Sequence, residues 1–235
     1  MEDNLLNKNP YLEGKILLVD KPLNWTSFDV VNKLRYVLKD KYKLKKIKVG
    51  HAGTLDPLAS GLVVICTGRM TKSIQQFLTA DKVYEGKIKL GATTPSYDLE
   101  TQIDSNYSVD HIDQGLVDSI IDDFTGELDQ IPPIFSAKRI KGKRAYEYAR
   151  NNEKIELKPQ KVTIKKLNLK ITNKKELEFS CQCSKGTYIR SLARDIGFAL
   201  KSGGHLIELR RIASGNFIIE SAKTVEEWIH FIETQ

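Results

Sequence analysis

The chain has 235 residues, with 37 Lys+Arg against 30 Asp+Glu for a net charge of +7, a length that makes one large domain or two small ones at roughly 150 residues per domain. A hydrophobic fraction of 40% and a charged fraction of 29% exclude a disordered or collagen-like chain. No apolar run approaches the ~18 residues of a membrane span, the acidic start Met1-Glu2-Asp3-Asn4 is unlike a signal peptide, and three cysteines are too few for a disulfide framework, so a cytoplasmic protein with buried free thiols is expected.

In chain order, Lys15-Ile16-Leu17-Leu18-Val19 reads as a buried strand closed by Asp20-Lys21-Pro22. A helix follows, capped by Thr26 or Ser27 with Asp29 in its first turn, and its apolar stripe is Phe28, Val31, Leu34 and Leu38. Leu62 to Cys66 has the β-branched density of a second buried strand, and a helical stretch runs from Thr71 to Leu78. In the next strand Tyr84, Gly86, Ile88 and Leu90 alternate with Glu85, Lys87 and Lys89, which puts Tyr84 on the apolar face. Ile112, Leu116, Ile120 and Phe124 predict an amphipathic helix capped by Asp110 and ended by Gly126. Ile131-Pro132-Pro133 must be extended. Val162 to Leu169 and Leu177 to Cys183 are two strands around a polar turn, with Leu177, Phe179, Cys181 and Cys183 facing inward. A helix then starts at Tyr188 and ends at Gly203-Gly204, and Val225, Trp228, Ile229 and Ile232 mark a last one. Strands and helices intermix along the whole length without repeats, so a single α/β domain with a mixed sheet is expected over 1–235.

Charge is unevenly placed. Asp104 to Asp129 carries eight acids and no Lys or Arg; without them, 37 basic side chains face 22 acidic ones, a net of +15. Basic residues gather in Lys39 to Lys48, in Lys138, Arg139, Lys141, Lys143 and Arg144, and in Lys158 to Lys175. Such clusters suit a polyanion, and equally suit solvated surface lysines.

The densest chemical signal is Gly50-His51-Ala52-Gly53-Thr54-Leu55-Asp56-Pro57-Leu58-Ala59-Ser60-Gly61. Its glycines allow close backbone approach and Pro57 stiffens the turn that presents Asp56; read alone, Asp56 fits an Asx turn before proline just as well, and His51 a loop cap. Arg190 opens a helix after Lys185-Gly186-Thr187-Tyr188, where it can hold a carboxylate ionised or lie exposed on the helix. Tyr84 can stack on a nucleobase or fill the core.

These residues carry a resemblance. Asp20-Lys21-Pro22-Leu23-Asn24-Trp25-Thr26-Ser27, the Gly50 to Gly61 run, Lys82-Val83-Tyr84, Gln130-Ile131-Pro132-Pro133 with Ser136-Ala137, Lys185 to Arg190, and Gly204-His205-Leu206 with Leu209-Arg210-Arg211 occur in the order of the bacterial tRNA pseudouridine-55 synthase (TruB) family, which the chain resembles over about residues 14–211. The resemblance implies the pseudouridine synthase fold, a central mixed, mainly antiparallel sheet flanked by helices. It implies isomerisation of one uridine in the T-arm of tRNA by base flipping, with no cofactor and no metal, by a monomer. Asp56 matches the family's nucleophile, Arg190 its active-site arginine and Tyr84 the tyrosine that stacks on the target base. His51 matches the histidine that fills the space of the flipped nucleotide; Asp98 lies near that base, Leu209 is a pocket wall, and Lys21 and Tyr188 support the pocket floor. Lys138, Arg139, Lys141, Lys143 and Arg144 are expected on the RNA backbone, together with Lys39 to Lys48. Two departures stand out: Asn24 and Thr101 each replace a usual glycine. The chain is also expected to be a short form, with residues 212–235 a closing strand and helix and most or all of the C-terminal PUA RNA-binding domain absent. Two other readings compete: an RNA-folding protein whose isomerase activity is secondary, and an isomerase acting on another RNA.

Overall fold

Local chemistry sets the first elements. Thr26 accepts the Asp29 N–H while the Asp29 carboxylate accepts the Thr26 N–H, a reciprocal cap that starts the helix Ser27–Lys41 and is worth about 1 kcal/mol. That helix buries Val30, Val31, Leu34, Val37 and Leu38, whereas Phe28 is exposed: the stripe is rotated from the expected one because Val30 and Val37, seven apart, turn inward with Val31 and Leu34.

The computed structural model describes residues 9–136, 138–140, 142–151, 153 and 155–235. They form two compact units, one of residues 9–84 with 210–235, the other of the described residues between 85 and 209; Lys141 and Ala137 lie outside the described residues, and of the Arg139 side chain nothing is described.

In the first unit the strand Ala59–Thr67, buried almost throughout, pairs antiparallel with Ile16–Lys21 (Ile16 opposite Cys66, Lys21 opposite Gly61) and with Val49–His51 (His51 opposite Ile65). A continuous apolar run is what a strand covered on both faces requires. Lys223–Thr224 adds to Ile16–Lys21 in parallel, and the helix Val225–Thr234 closes the unit, its Trp228 Nε1 donating to the Leu18 carbonyl at 2.8 Å. The stretch expected as one helix from Thr71 is a 3₁₀ turn, Gly68–Ser73, followed by the short helix Ile74–Thr79.

In the second unit Gln160–Asn173 and Glu176–Cys183 form a long antiparallel hairpin, with Leu167 opposite Cys181 and Leu169 opposite Phe179, and Gly126–Gln130 pairs along its outer edge. Leu177, Phe179, Cys181 and Cys183 are all buried, as their alternation predicts. The acidic segment departs from expectation. Its helix spans only Gln114–Ser119 and is capped by Asp113, which accepts the Leu116 N–H at 2.8 Å, so Asp110 is not the cap; a 3₁₀ turn and the strand Gly126–Gln130 follow. Thr125 and Glu127 onward alternate exposed and half-buried residues, a period of two that the four-step reading overlooked. The helix Ile189–Ala199 buries Leu192, Ala193 and Ile196 and stops at Leu200, before Lys201 turns left-handed at φ +53°.

Candidate active site

The Gly50 to Gly61 loop is held from three sides, all in the first unit. From one side, Arg211, 1% exposed, donates through Nε to the Leu62 carbonyl (2.7 Å) and through its two terminal nitrogens to the carbonyls of Gly53 (3.1 Å) and Thr54 (3.5 Å). From the second, the Ser27 hydroxyl accepts the Leu55 N–H at 2.8 Å. From the third, the Asn24 N–H donates to the Pro57 carbonyl at 2.8 Å, and Asn24 sits at φ +63°, the left-handed region that asparagine enters more readily than other non-glycine residues. Inside these clamps the Ala59 N–H closes a turn onto the Asp56 carbonyl, which fixes the direction of a half-buried Asp56 side chain. Gly61, at φ +104°, opposes the Arg211 backbone so closely that a Cβ would lie 2.3 Å from the Arg211 carbonyl oxygen, so the loop can end here only at glycine.

Lys21 is fully buried beneath this loop and donates to the carbonyls of Pro22 (2.8 Å) and Trp25 (2.6 Å). Burial pulls its ammonium down from 10.5 to about 8, against the opposing pull of the Asp56 carboxylate. Near neutral pH the lysine therefore remains a cation beside Asp56. Between pH 8 and 10.5 the unfolded chain holds a proton that the fold has released, so stability should rise with pH through this window relative to a Lys21→Met variant, which has no proton to lose. Denaturant titrations of both proteins at pH values across that window test this, and parallel stability curves would exclude it. His51, at the end of Val49–His51, is kept neutral by burial and then by the Arg211 charge. Tyr84 is buried on the inward face of Lys82–Leu90, as expected. The neighbouring Lys82 ammonium, also buried, donates to the carbonyls of Phe77, Leu78 and Ala80 around the end of the helix Ile74–Thr79, where a cation suits the helix dipole.

The second unit holds the remaining residues. Arg190 is 5% exposed, which removes the reading of a solvated helix arginine. It donates to the carbonyls of Phe135 (3.0 Å) and Ser96 (3.3 Å) and faces the buried Asp98 carboxylate at 3.5 Å. Asp98 accepts the Glu100 N–H at 2.9 Å, and its own carbonyl accepts the Thr94 hydroxyl at 2.7 Å. The Thr101 hydroxyl accepts the Ser96 N–H at 3.0 Å, a staple across the loop that a glycine at this position could not make. Arg194, one helical turn after Arg190, lies over the Tyr97 ring at 4.6 Å and donates to its hydroxyl at 2.9 Å, so two arginines of one helix grip consecutive residues of the loop. Tyr188 caps the helix backbone and is held by the Gln130 amide, which accepts the Tyr188 N–H (2.8 Å) and donates to its carbonyl (3.1 Å); Ser191 donates to the Ile131 carbonyl at 2.7 Å. Leu209 is buried in the strand Gly204–Ser214.

Of the basic hairpin Arg139–Ile140 and Lys143–Arg144, Lys143 lies 5.6 Å from the Tyr148 ring centroid and Arg144 5.9 Å from that of Tyr146, while Lys138 donates to the Gln160 side chain at 3.1 Å. Sequence reasoning passed over Arg211, Ser27 and Gln130 as site residues; all three sit inside the quoted motifs, and only the fold reveals what they hold. Among the described residues no His, Cys, Asp and Glu cluster suits a metal ion, and no helix is long and apolar enough to cross a membrane.

Comparison with known proteins follows the same residues. The model described as TruB family pseudouridylate synthase (N terminal domain) matches residues 39–189, and that of the tRNA pseudouridylate synthase B C-terminal domain matches residues 190–232. The tRNA pseudouridine synthase B of Parabacteroides distasonis is 51% identical over 223 residues, 95% of each chain, and that of Flavobacterium johnsoniae is 52% identical over 213 residues, 90% of this chain and 93% of the relative. Among solved structures, a chain of a Cbf5-Nop10-Gar1 complex superimposes with a TM-score of 0.71 at 26% identity, covering 94% of this chain and 55% of that one.

Proposed function

This chain belongs to the TruB family of pseudouridylate synthases, and from that premise we propose that it isomerises uridine 55 in the T-arm of tRNA, with Asp56 as the nucleophile. It is an isomerase that makes pseudouridine in tRNA, like the synthases it matches along nearly its full length. The observation that carries the assignment to Asp56 is the triple clamp on its turn, with a buried lysine cation beneath it.

The reaction breaks the bond between uracil N1 and ribose C1′, turns the ring, and joins C5 to C1′. The C5 proton is lost and N1 gains one, so substrate and product have the same composition and nothing needs to be oxidised or reduced. Asp56 attacks the uracil ring or ribose C1′; either route needs an ionised carboxylate, which the Lys21 cation beside it favours. Tyr84 stacks on the flipped base and takes part in the late proton transfer. A neutral His51 fills the vacated stack without burying a charge. Asp98 and Leu209 line the base pocket, with Asp98 held by Arg190, and Tyr188 supports the floor from its Gln130 clamp. Lys138, Arg139, Lys141, Lys143 and Arg144 contact T-arm phosphates. The protein acts as a monomer in the cytoplasm, where its substrate is.

Pseudouridine mapping across total RNA from cells with and without this protein tests the reading. Loss of pseudouridine at position 55 of tRNA is the expected result, and an unchanged position 55 with losses in another RNA would replace it.

A further inference from the structure

A second basic feature, separate from the hairpin, lies in the first unit. Lys39, Lys45, Lys46 and Lys48 line an open groove of about 540 Å³, with Arg35 at its side and Ile74 in its floor. Arg35 is pinned there: it donates to the Val49 carbonyl at 2.9 Å and to the Asn32 side chain at 2.8 Å. The floor is closed, since a Cβ on Gly50 would come 2.9 Å from the Ile74 methyl group.

The side chains of these four lysines have no partners, whereas several lysines elsewhere do. Lys43 pairs with Asp40 at 3.3 Å, Lys89 with Glu176 at 2.8 Å and Lys161 with Glu127 at 2.7 Å. Among the described residues, the side chains of Lys39, Lys45, Lys46 and Lys48 are exposed, make no ion pair or hydrogen bond, and share the groove with no carboxylate. Four like charges brought together without a counter-charge repel one another. A bound polyanion removes that repulsion and releases its own counterions.

We propose that this groove binds the sugar-phosphate backbone of the RNA whose uridine reaches Asp56, a few nucleotides from the target; the inference rests on the pseudouridine synthase reading above. The strand Val49–His51 supplies the register. Its first residue lines the groove and its last is His51, so at ~3.3 Å per residue Lys48 lies about 10 Å along the chain from the residue that fills the flipped nucleotide's place. About three phosphates of one strand, at ~3.4 Å of axis each, cover that distance. Groove and nucleophile loop are thus two ends of one rigid track, and RNA engaged at one is aligned for the other.

The test uses the full chain and an unmodified tRNA transcript, with binding measured from about 50 to 300 mM salt. In the variant with Lys39, Lys45, Lys46 and Lys48 all changed to Ala, affinity at the low-salt end should fall at least ~10-fold and the slope of log affinity against log salt should flatten by about 2 to 3, at 0.7 to 0.9 for each lost phosphate contact. Changing the same four lysines to Arg should keep wild-type binding, and changing the exposed Lys166 and Lys170 of the second unit to Ala should leave the slope unaltered. An unaltered slope and affinity in the four-Ala variant overturns the proposal. So does displacement of the RNA by an acidic peptide at equal charge concentration, which would mark the groove as a protein-docking surface. A wild-type protein that binds RNA through these lysines yet forms no pseudouridine would leave the groove standing and remove the catalytic reading instead.

Discussion

Replacing Asp56 by asparagine is expected to lower pseudouridine formation on an unmodified tRNA transcript by about 10⁴-fold or more, the scale on which removing a nucleophile acts, while leaving RNA affinity in place. The substitution removes charge and nucleophilicity without changing side-chain size. The turn around it is closed by main-chain groups, the Ala59 N–H on the residue 56 carbonyl and the Asn24 N–H on the Pro57 carbonyl, so the loop keeps its shape and the loss is chemical. Single-turnover assays at saturating RNA, with binding measured in parallel, make the comparison; turnover within 10-fold of wild type would mean that another group attacks.

The second large effect is expected at a residue that touches no substrate in this scheme. Arg211→Met would leave the carbonyls of Leu62, Gly53 and Thr54 without their buried donors. At about 1 to 3 kcal/mol for each unsatisfied buried group, partly relieved as the loop relaxes, the expected cost is about 3 to 5 kcal/mol. For a chain of this size that lowers Tm by roughly 10 °C. Activity should fall with it, because the turn that aims Asp56 loses one of its three clamps. Arg211→Lys should not rescue either property: one ammonium cannot span three carbonyls that a planar fork reaches at once. Thermal denaturation of the three proteins decides it, and a methionine variant that melts within about 2 °C of wild type would show the clamp to be dispensable.

Much of this arrangement is legible in the residues. Period-two alternation places Tyr84 on the inward face and buries the thiols of Cys181 and Cys183; the first long helix's cap is narrowed to Thr26 or Ser27, and Thr26 takes it. What stays hidden is long-range. That Arg211 reaches back some 150 residues to Gly53 and Leu62, or that the Gln130 amide seats the start of a helix nearly sixty residues later, leaves no periodic trace, since a buried arginine and a surface one look alike in sequence. The acidic segment misleads for the opposite reason. Four apolar residues at four-residue steps satisfy the helical pattern, yet the chain spends only Gln114–Ser119 on an α-helix, makes a 3₁₀ turn of Asp122–Phe124, and begins an edge strand at Gly126, where the helix is expected to end. There, Glu127 and Asp129 answer Lys161 across the sheet, so part of the third basic cluster is neutralised by acids that composition alone set apart.

All three cysteines, Cys66, Cys181 and Cys183, are free and buried, and burial pushes the Cys66 thiol up to about 11. A thiol that is inaccessible and protonated does not react with maleimides or iodoacetamides. The natural chain is therefore silent toward such reagents while it remains folded, and a single cysteine introduced at an exposed position takes a fluorophore or spin label with no background to remove by mutation. Placed at the rim of the lysine groove, such a label reports RNA arrival in real time, independently of whether any bond has yet been rearranged.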